Sequence, residues 1–239
     1  MAGPFFTGVS LEVTEDVTAG YVALAAVVAL AAGFAWREPE VRIEHETTVR
    51  LALRPHVVVM GVLLFLYVGA EIGLGSWVAS YTERAAEAGV LAGAAVTSGY
   101  WGALAVGRVA SGRLLAADHH PRRLLAFAIV AAALASVVLA VLGDVLAVAF
   151  AAALVTGFAF GPIWPLAMAI GARDATPSTM AGLVTAGNSG ALVFPVMQGA
   201  VLASAGPTEG VAVTPLLCLL MLAMLATSGG RDGDSSVRQ

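Results

Sequence analysis

The sequence carries very little charge. Only 12% of its 239 residues are Asp, Glu, Lys or Arg, whereas soluble domains carry roughly 25% of such residues. Hydrophobic residues make up 59% of the chain, and its mean hydropathy is +0.89. A soluble protein of this composition could not cover its surface with polar side chains. The composition therefore excludes that class and predicts a membrane protein.

Cysteine is also scarce, and lysine is absent. Cys218 is the only cysteine, which excludes a disulfide or a cysteine-based metal site within one chain. The four histidines lack the partner spacing of a zinc site. All twelve basic residues are arginine. We therefore expect no metal ion and no cofactor, and we expect the lipid bilayer, not a nucleic acid, as the main partner.

Long uncharged runs are abundant. Each is near or above the ~20 residues that a helix needs to cross ~30 Å of hydrocarbon. None alternates with a period of two, which disfavours a β-barrel and leaves helices as the spanning structures. The sequence thus predicts seven spans. The runs are residues 17–36, 55–82 (with Glu71 as its only charge), 88–107, 124–143, 145–172, 175–208 and 210–230.

The arginines set the predicted orientation, because basic residues concentrate on the cytoplasmic side of a membrane protein. Eleven of them fall on one side of the predicted spans, and only Arg84 falls on the other. We therefore expect a multi-pass protein of the cell membrane, with its N-terminus outside and its C-terminus in the cytoplasm. The eleven are Arg37, Arg42, Arg50, Arg54, Arg108, Arg113, Arg122, Arg123, Arg173, Arg231 and Arg238.

The longest polar segment between spans, residues 37–56, divides the chain. It mixes both signs of charge, and we expect it to be a cytoplasmic linker after a leading helix in residues 1–36. The six later spans are joined by short loops, which predicts antiparallel neighbours in a six-helix bundle over residues 57–227. Residues 228–239 are predicted as a cytoplasmic tail. The opening does not resemble a signal peptide and is typical of the end of an earlier helix.

Glu71 is the one charged residue within its predicted span. An acidic side chain at mid-bilayer costs at least ~2.5 kcal/mol, so it normally faces the interior of a bundle or a wet cavity. We interpret Glu71 as a group that meets a solute or a proton in such a cavity. The alternative is a protonated carboxyl that is hydrogen-bonded inside the bundle and serves only the structure.

Helical geometry separates two faces of this span. One face carries larger side chains and is expected to line the cavity, which makes Tyr67 a candidate solute ligand beside Glu71. The opposite face carries small side chains and is expected to pack closely against another helix. The first face is Tyr67, Glu71, Leu74 and Val78, and the second is Gly69, Gly73 and Ser76.

The segment GRVASGRLLAADHHPRR, residues 107–123, lies at the cytoplasmic end of the third span. Gly107 and Gly112 would allow another helix to approach closely. Arg108 and Arg113 could pair with Asp118 or bond to carbonyls at helix C-termini, where cations are favoured. We interpret these five residues as a cytoplasmic gate that latches neighbouring helices. The alternative is that the arginines only follow the charge bias of the cytoplasmic side.

Two later spans contain helix breakers. GFAFGPIWPLAMAIG carries Pro162 and Pro165, and AGLVTAGNSGALVFPVMQG carries Pro195. Proline removes a backbone donor and kinks a helix. Broken helices at membrane depth commonly mark transport sites, although kinks can also serve packing alone. The breaks therefore predict a site near these segments.

Polar and aromatic side chains near the breaks are candidate ligands. Asn188 and Gln198 are the polar side chains of the second segment, and Trp164 lies in the first. With Glu71 and Tyr67 they form the predicted substrate-binding set. Trp164 could equally be an anchor at the membrane interface.

The sequence GNSG around Ser189 is similar to that around the nucleophile of rhomboid-type intramembrane proteases. Those enzymes need a histidine in a later helix as a base. No histidine follows Ser189, and all four lie in or beside predicted cytoplasmic segments. We therefore predict that the chain is not an enzyme. The histidines are His45, His56, His119 and His120.

Four segments together resemble a known family. YVGAEIGLGSW, GRVASGR, FGPIWP and GNSGALVFPVMQG occur in the order and helix positions of the C-terminal half of a major facilitator superfamily transporter. The subgroup that they resemble is the fucose–galactose–glucose proton symporters. The resemblance implies an all-α membrane protein, with a six-helix C-terminal bundle plus one preceding transmembrane helix. Residues 1–36 would then be the end of an incomplete N-terminal half.

The resemblance also implies a function. It implies a secondary active transporter of a small polar solute, with a sugar as the expected solute. In such a transporter the second half mostly supplies substrate contacts. Proton coupling is left open, because in these symporters the coupling carboxylates lie mainly in the first half. The chain would act as a homodimer or with a separate N-terminal half. The alternative is a non-transporting membrane remnant, or an assembly partner of a separately encoded N-terminal half.

Overall fold

A computed structural model describes residues 18–35, 54–117, 120–173 and 176–235. Within them every regular element is an α-helix, which confirms the predicted all-α class. Most of the predicted linker, Asp118 and the last four residues lie outside the described residues. In chain order the helices are α1 (Thr18–Ala35), α2 (Pro55–Ala85), α3 (Val90–Ala117), α4 (Pro121–Leu142), α5 (Leu146–Phe160), α6 (Ile163–Gly171), α7 (Pro177–Ser204) and α8 (Pro207–Ser235).

Six spans within the described residues are long and apolar enough to cross a membrane. Helices α2, α3, α4, α7 and α8 each supply one, while α5 and α6 together supply another. The prediction of six spans after the linker is therefore confirmed. Helix α1 is an apolar helix of 18 residues whose described side chains are exposed. Its role as a seventh span stays a prediction.

Proline marks where several of these helices begin. Pro55, Pro121 and Pro177 lie in the first turn of α2, α4 and α7. The N–H that proline lacks would have had no intrahelical partner there. Thr176 caps α7, because its hydroxyl oxygen accepts a hydrogen bond from the Thr179 N–H at 3.4 Å. These residues define where the chain turns back into the bundle.

Helix α2 lies at the centre of the bundle and packs against α3, α7 and α8. Tyr67, Leu74 and Val78 are fully buried by these neighbours. The prediction that their face lines a cavity is wrong for these three residues, because neighbouring helices close over that side of α2. Of this face, only Glu71 reaches the cavity described below.

The small face of α2 packs closely against α7, as predicted. A methyl group added at Gly69 would lie 2.0 Å from the Phe194 ring, and one added at Gly73 would lie 2.3 Å from the Gln198 amide oxygen. Ser76 stays exposed and donates its hydrogen bond within its own helix. The two glycines therefore let α7 approach α2 more closely than larger residues would allow.

Four aromatic rings lie against glycines of neighbouring helices, and we call these contacts the aromatic–glycine pairs. In each pair, a methyl group on the glycine would come within 2.8 Å of the ring. A large side chain of one helix thus occupies the space that a missing side chain leaves on the next. The pairs are Phe194 with Gly69, Trp101 with Gly75, Trp164 with Gly187 and Trp77 with Gly199.

The helix is interrupted between α5 and α6, as predicted from the prolines. Helix α5 ends at Phe160 and α6 begins at Ile163. Pro162 is the N-cap residue of α6, and Pro165 lies in its first turn. Neither proline therefore removes a hydrogen bond from a helix interior. The second segment, α6, carries Trp164 to the cavity wall.

Backbone packs on backbone where α3 crosses α5. A methyl group at Gly107 would lie 2.2 Å from the Phe158 carbonyl oxygen, so the close approach predicted at Gly107 is confirmed. Gly157 on α5 and Gly161, the residue that caps the end of α5, are four positions apart and meet α3 in the same way. A methyl group at Gly161 would lie 2.5 Å from the Arg108 nitrogen. This crossing holds the backbone of Arg108 beside the helix break.

Candidate functional site

A charged pair joins α2 to α3 inside the bundle. The Arg108 guanidinium donates a hydrogen bond from Nη2 to Oε1 of Glu71 at 2.6 Å. The Glu71 side chain is 4% exposed, whereas the Arg108 side chain is 43% exposed. The carboxylate is thus inside the protein, while the guanidinium is partly open. The arginine compensates a charge that would otherwise be costly at this depth.

Two fully buried tyrosines flank Glu71. The Tyr100 hydroxyl donates a hydrogen bond to the backbone carbonyl of Glu71 at 2.8 Å. The Tyr67 hydroxyl is a close neighbour of both the Glu71 carboxylate and the Arg108 guanidinium. It nevertheless makes no well-formed hydrogen bond with any described residue. A buried hydroxyl without such a bond costs about 1–3 kcal/mol, and Ser98 Oγ and Gln198 Oε1 are buried in the same condition.

A partly open cavity of about 290 Å³ lies against the charged pair. Two indole rings and two aliphatic side chains form part of its wall, and three polar side chains complete it. Ligand sites of roughly 300–1,000 Å³ commonly combine apolar and aromatic walls with a few polar groups, and this cavity lies at the small end of that range. The lining residues are Val68, Glu71, Ile72, Trp101, Arg108, Trp164 and Asn188.

Three of the five predicted solute ligands line this cavity together. Glu71 comes from α2, Trp164 from α6 and Asn188 from α7. Trp164 follows the helix break directly, and Asn188 precedes the proline of α7 by two turns. The two segments with helix breakers therefore meet Glu71 at one site.

The other two predicted ligands do not line this cavity. Tyr67 is buried behind Glu71. Gln198 is buried between α7 and α8, where its amide nitrogen donates a hydrogen bond to the Thr214 hydroxyl at 3.2 Å. It lies ten positions after Asn188, which is about 15 Å along a helix. The cavity wall therefore includes the Asn188 amide and not that of Gln198.

The predicted gate residues separate in the structure. Arg108 pairs with Glu71, and Asp118, its expected partner, lies outside the described residues. Arg108 lies about two and a half turns before the end of α3. From that position its long side chain reaches another helix inside the bundle. The arginine that the sequence assigned to the cytoplasmic gate thus belongs to the cavity.

The rest of the gate motif lies nearer the end of α3. A methyl group at Gly112 would have no atom of the described residues within 4 Å, so the close approach predicted there is not seen in this part of the chain. Helix α5, which approaches Gly107, ends at Phe160. Arg113 is exposed, and its role in a latch stays a prediction.

Trp101 and Arg108 were not predicted as cavity residues. They lie seven positions apart on α3 and therefore share one face of that helix. The available signal was this spacing, together with an acidic residue in the preceding span. It is a weak signal, because the spacing alone does not show which face of α3 points toward α2.

Comparison with curated sequences gives one distant relative. No family model matches the chain. The chain is 25% identical over 186 residues to Bypass of stop codon protein 6 of Saccharomyces cerevisiae. The alignment covers 73% of this chain but only 37% of the yeast protein. This chain thus corresponds to a minor part of that relative's length.

Comparison with solved structures shows the fold. A variant of the fucose:proton symporter FucP of E. coli matches with a TM-score of 0.64 at 20% identity, covering 92% of this chain and 55% of that one. FucP in the outward conformation, a major facilitator superfamily transporter, matches with a TM-score of 0.63 at 20% identity, covering 88% and 54%. The chain therefore has the fold of one half of such a transporter, and the predicted fold class is confirmed.

Proposed function

We propose that this chain, folded as half of a major facilitator superfamily transporter, is one half of a secondary active transporter for a small polar solute, and that the solute is a sugar. The four sequence segments that match the C-terminal half in order and helix position support its assignment to that half. The fucose:proton symporter, whose fold the chain shares over about half of that structure, supports the solute class.

The observation that carries the proposal is the charged pair in the wall of an open cavity. An ionisable residue inside a span is expensive and normally marks a functional site. A buried ion pair that served only stability would often be replaceable by apolar residues of similar volume without loss. Here the pair of Glu71 and Arg108 is instead accessible from the cavity through the half-exposed guanidinium.

The cavity wall suits a neutral polyhydroxy solute. Sugar hydroxyls both donate and accept hydrogen bonds. The Glu71 carboxylate accepts, the Arg108 guanidinium donates and the Asn188 amide does both. The indoles of Trp101 and Trp164 offer apolar ring surfaces for the C–H groups of a sugar. The two charges of the pair cancel, which favours a neutral solute over an ion.

A transporter of this type needs a second bundle. Alternating access moves two bundles around a site at their interface. We therefore propose that a second copy of this chain, or a separately encoded N-terminal half, supplies the opposite wall. The arginine distribution supports a place in the cell membrane, with the N-terminus outside and the C-terminus in the cytoplasm.

Solute uptake by proteoliposomes tests the proposal. The chain is reconstituted alone and with any N-terminal half encoded beside it. Accumulation of labelled L-fucose, galactose and glucose is then measured with and without an inward proton gradient. We expect uptake of at least one of the sugars by a dimer or by the two-half assembly. Robust uptake by a proven monomer would contradict the proposed assembly.

A pair of tryptophan variants tests the site itself. Trp164→Phe removes part of the cavity wall and should weaken uptake. Trp77→Phe replaces an indole of another aromatic–glycine pair, which does not line the cavity, and serves as the packing control. It also removes the hydrogen bond that Trp77 Nε1 donates to the Pro195 carbonyl at 2.7 Å, so its structural cost should be at least as large. Equal loss in both variants would indicate a packing defect and not a solute contact. Uptake of no sugar by any assembly would favour the non-transporting alternative.

A further inference from the structure

Both tryptophans of the cavity wall lie against a glycine of a neighbouring helix. A methyl group added at Gly75 of α2 would be 2.3 Å from the ring of Trp101. One added at Gly187 of α7 would be 2.8 Å from the ring of Trp164. Ordinary van der Waals contact begins at 3.4 Å. Each indole therefore stands closer to the neighbouring backbone than any residue with a side chain at that position would allow, which leaves the cavity correspondingly wider.

The free space around Trp101 lies on its cavity side. Gly75 is behind the indole, and the Tyr100 ring is beside it, with the two ring centroids 5.2 Å apart. Tyr100 is itself held in place, because its hydroxyl donates a hydrogen bond to the Glu71 backbone carbonyl at 2.8 Å. An indole pushed away from Gly75 would therefore move into the cavity, where it meets less resistance than in the packed interior.

Trp164 is enclosed in a similar way. Gly187 lies behind it, and the fully buried Tyr67 lies beside it, with 6.5 Å between the ring centroids. A methyl group added at Gly187 would also lie 3.5 Å from the Leu64 Cβ, so that side is packed as well. Gly187 directly precedes Asn188, whose side chain lines the cavity. The same turn of α7 thus positions an indole and supplies a polar group to one wall.

We infer that Gly75 and Gly187 are specificity-determining residues of this half, although neither lines the cavity itself. By letting the two indoles stand back, they set the width of the cavity and hence the largest solute that it accepts. To restore contact at 3.4 Å from a methyl group at Gly75, the Trp101 ring edge would have to move by about 1.1 Å. That is a large displacement for one wall of a cavity of about 290 Å³. The inference rests on the proposed function for the nature of the solute, and it limits the size of the sugar.

Thiol labelling measures the width of the cavity without requiring transport. Val68→Cys places a thiol in the cavity wall at a position that is only 6% exposed, so a reagent should reach it through the cavity. The native Cys218 is buried and should give an unlabelled background. The full chain in lipid is treated with methyl methanethiosulfonate, which is small, or with benzyl methanethiosulfonate, which carries a ring. The ratio of the two labelling rates reports the width.

Gly75→Ala and Gly187→Ala, each added to Val68→Cys, should slow the benzyl reagent by about tenfold and the methyl reagent much less, because only the larger molecule needs the full width. Gly199→Ala is the matched control. A methyl group there would also lie 2.3 Å from an indole, that of Trp77, which does not line the cavity. It should keep the rate ratio of Val68→Cys alone. An unchanged ratio in both cavity variants, or an equal change in the control, would overturn the inference. Faster labelling by both reagents would overturn it too, because the helices would then have moved apart.

Trp101→Phe changes the same wall in the opposite direction, and it replaces Gly75→Ala in the test if that variant does not fold. The smaller ring should speed labelling of Val68→Cys by the benzyl reagent. Adding Gly75→Ala to Trp101→Phe should bring the rate back toward that of Val68→Cys alone, because the methyl group and the lost ring area act on the same space. A benzyl rate that does not rise in Trp101→Phe would show that this indole does not limit the width.

Sugar uptake separates the size limit from the proposed function. The sugar that the active assembly accepts is compared with the pentose that lacks its sixth carbon. Gly75→Ala should reduce uptake of the larger sugar more than that of the pentose, whereas Gly199→Ala should affect both sugars alike. Equal reduction of both in Gly75→Ala would contradict the size limit. If no assembly takes up any sugar, the proposed function fails, and the labelling ratios still decide whether the two glycines set the width of the cavity.

Discussion

Gly161 lies directly against the backbone of Arg108, at a distance that leaves no room for a side chain: an added methyl group would be 2.5 Å from the Arg108 nitrogen. The crossing of α3 and α5 therefore sets the height at which Arg108 projects toward Glu71. A change that separates these helices should disturb the charged pair as well as the packing.

Gly161→Ala should destabilise the protein. The methyl group would also meet the Leu104 carbonyl oxygen at 2.6 Å, and backbone atoms cannot move aside as a flexible side chain can. Overpacking of this kind typically costs about 1–3 kcal/mol. We expect a lower apparent Tm in detergent. Gly102→Ala is the matched control, because a methyl group at that α3 position meets no atom of the described residues within 4 Å. It should be neutral or slightly stabilising, and an equal loss in both variants would contradict the role of the crossing.

Glu71→Gln should abolish the pH dependence of uptake while leaving solute binding largely intact. The amide keeps the shape of the side chain and one accepting oxygen but cannot titrate. If Glu71 only holds solute hydroxyls, binding should weaken instead, by roughly 1.5–3 kcal/mol for a hydrogen bond to a charged group. Uptake and solute affinity across a pH series, measured in the active assembly, distinguish the two results.

The control for this change is Glu83→Gln, the same substitution three turns farther along α2 and away from the cavity. It should keep the wild-type pH profile. If Glu71→Gln keeps both the wild-type uptake and the wild-type solute affinity, the functional interpretation of Glu71 is wrong. If Glu71→Ala then lowers only the yield of folded protein, the role of Glu71 is structural.

Arg108→Gln should destabilise the protein more at high pH than at low pH. Without the guanidinium, the buried Glu71 carboxylate has no compensating charge, whereas its protonated form needs none. Removing one partner of a fully buried pair costs about 3–5 kcal/mol, and the loss should be smaller here because Arg108 is half-exposed. Thermal unfolding across pH measures the effect. The double variant with Glu71→Gln should be more stable at neutral pH than Arg108→Gln alone; equal stabilities would show that the pair is not coupled.

Cysteine labelling should place the two ends of the bundle on opposite sides of the membrane. Gly89→Cys lies in the exposed loop between α2 and α3, where a methyl group meets no described atom within 4 Å, and Arg123→Cys lies at the exposed start of α4. An impermeant thiol reagent added outside should label the first and not the second. Cys218 is buried, so the wild-type chain should remain unlabelled and serve as the control. Equal labelling of both sites from outside would refute the predicted topology.

Local sequence patterns predicted much of this fold. The lengths of the uncharged runs predicted the six spans, and the prolines predicted the interruption between α5 and α6. The packing face with Gly69 and Gly73 followed from helical periodicity. These features depend on residues within one helix, so the physical rules of helices in lipid suffice to find them.

The charged pair could not be predicted in the same way. Glu71 and Arg108 are 37 positions apart on different helices. Their contact depends on the rotation and height of α2 relative to α3, which no single-helix pattern contains. For the same reason, periodicity placed Tyr67 on the face of Glu71 but did not show that neighbouring helices bury it.

The aromatic–glycine pairs have a consequence for how such a sequence can diverge. In each pair, what must be conserved is the combined size of two facing residues, since a ring on one helix fills the space that is empty on the other. Either residue can change only if its partner changes in the opposite direction. Trp77 and Gly199, for example, should vary together across homologues, and a shared fold at 20% identity is compatible with such compensated exchanges. Covariation in residue volume would then indicate homology between such chains even where their sequence identity is low.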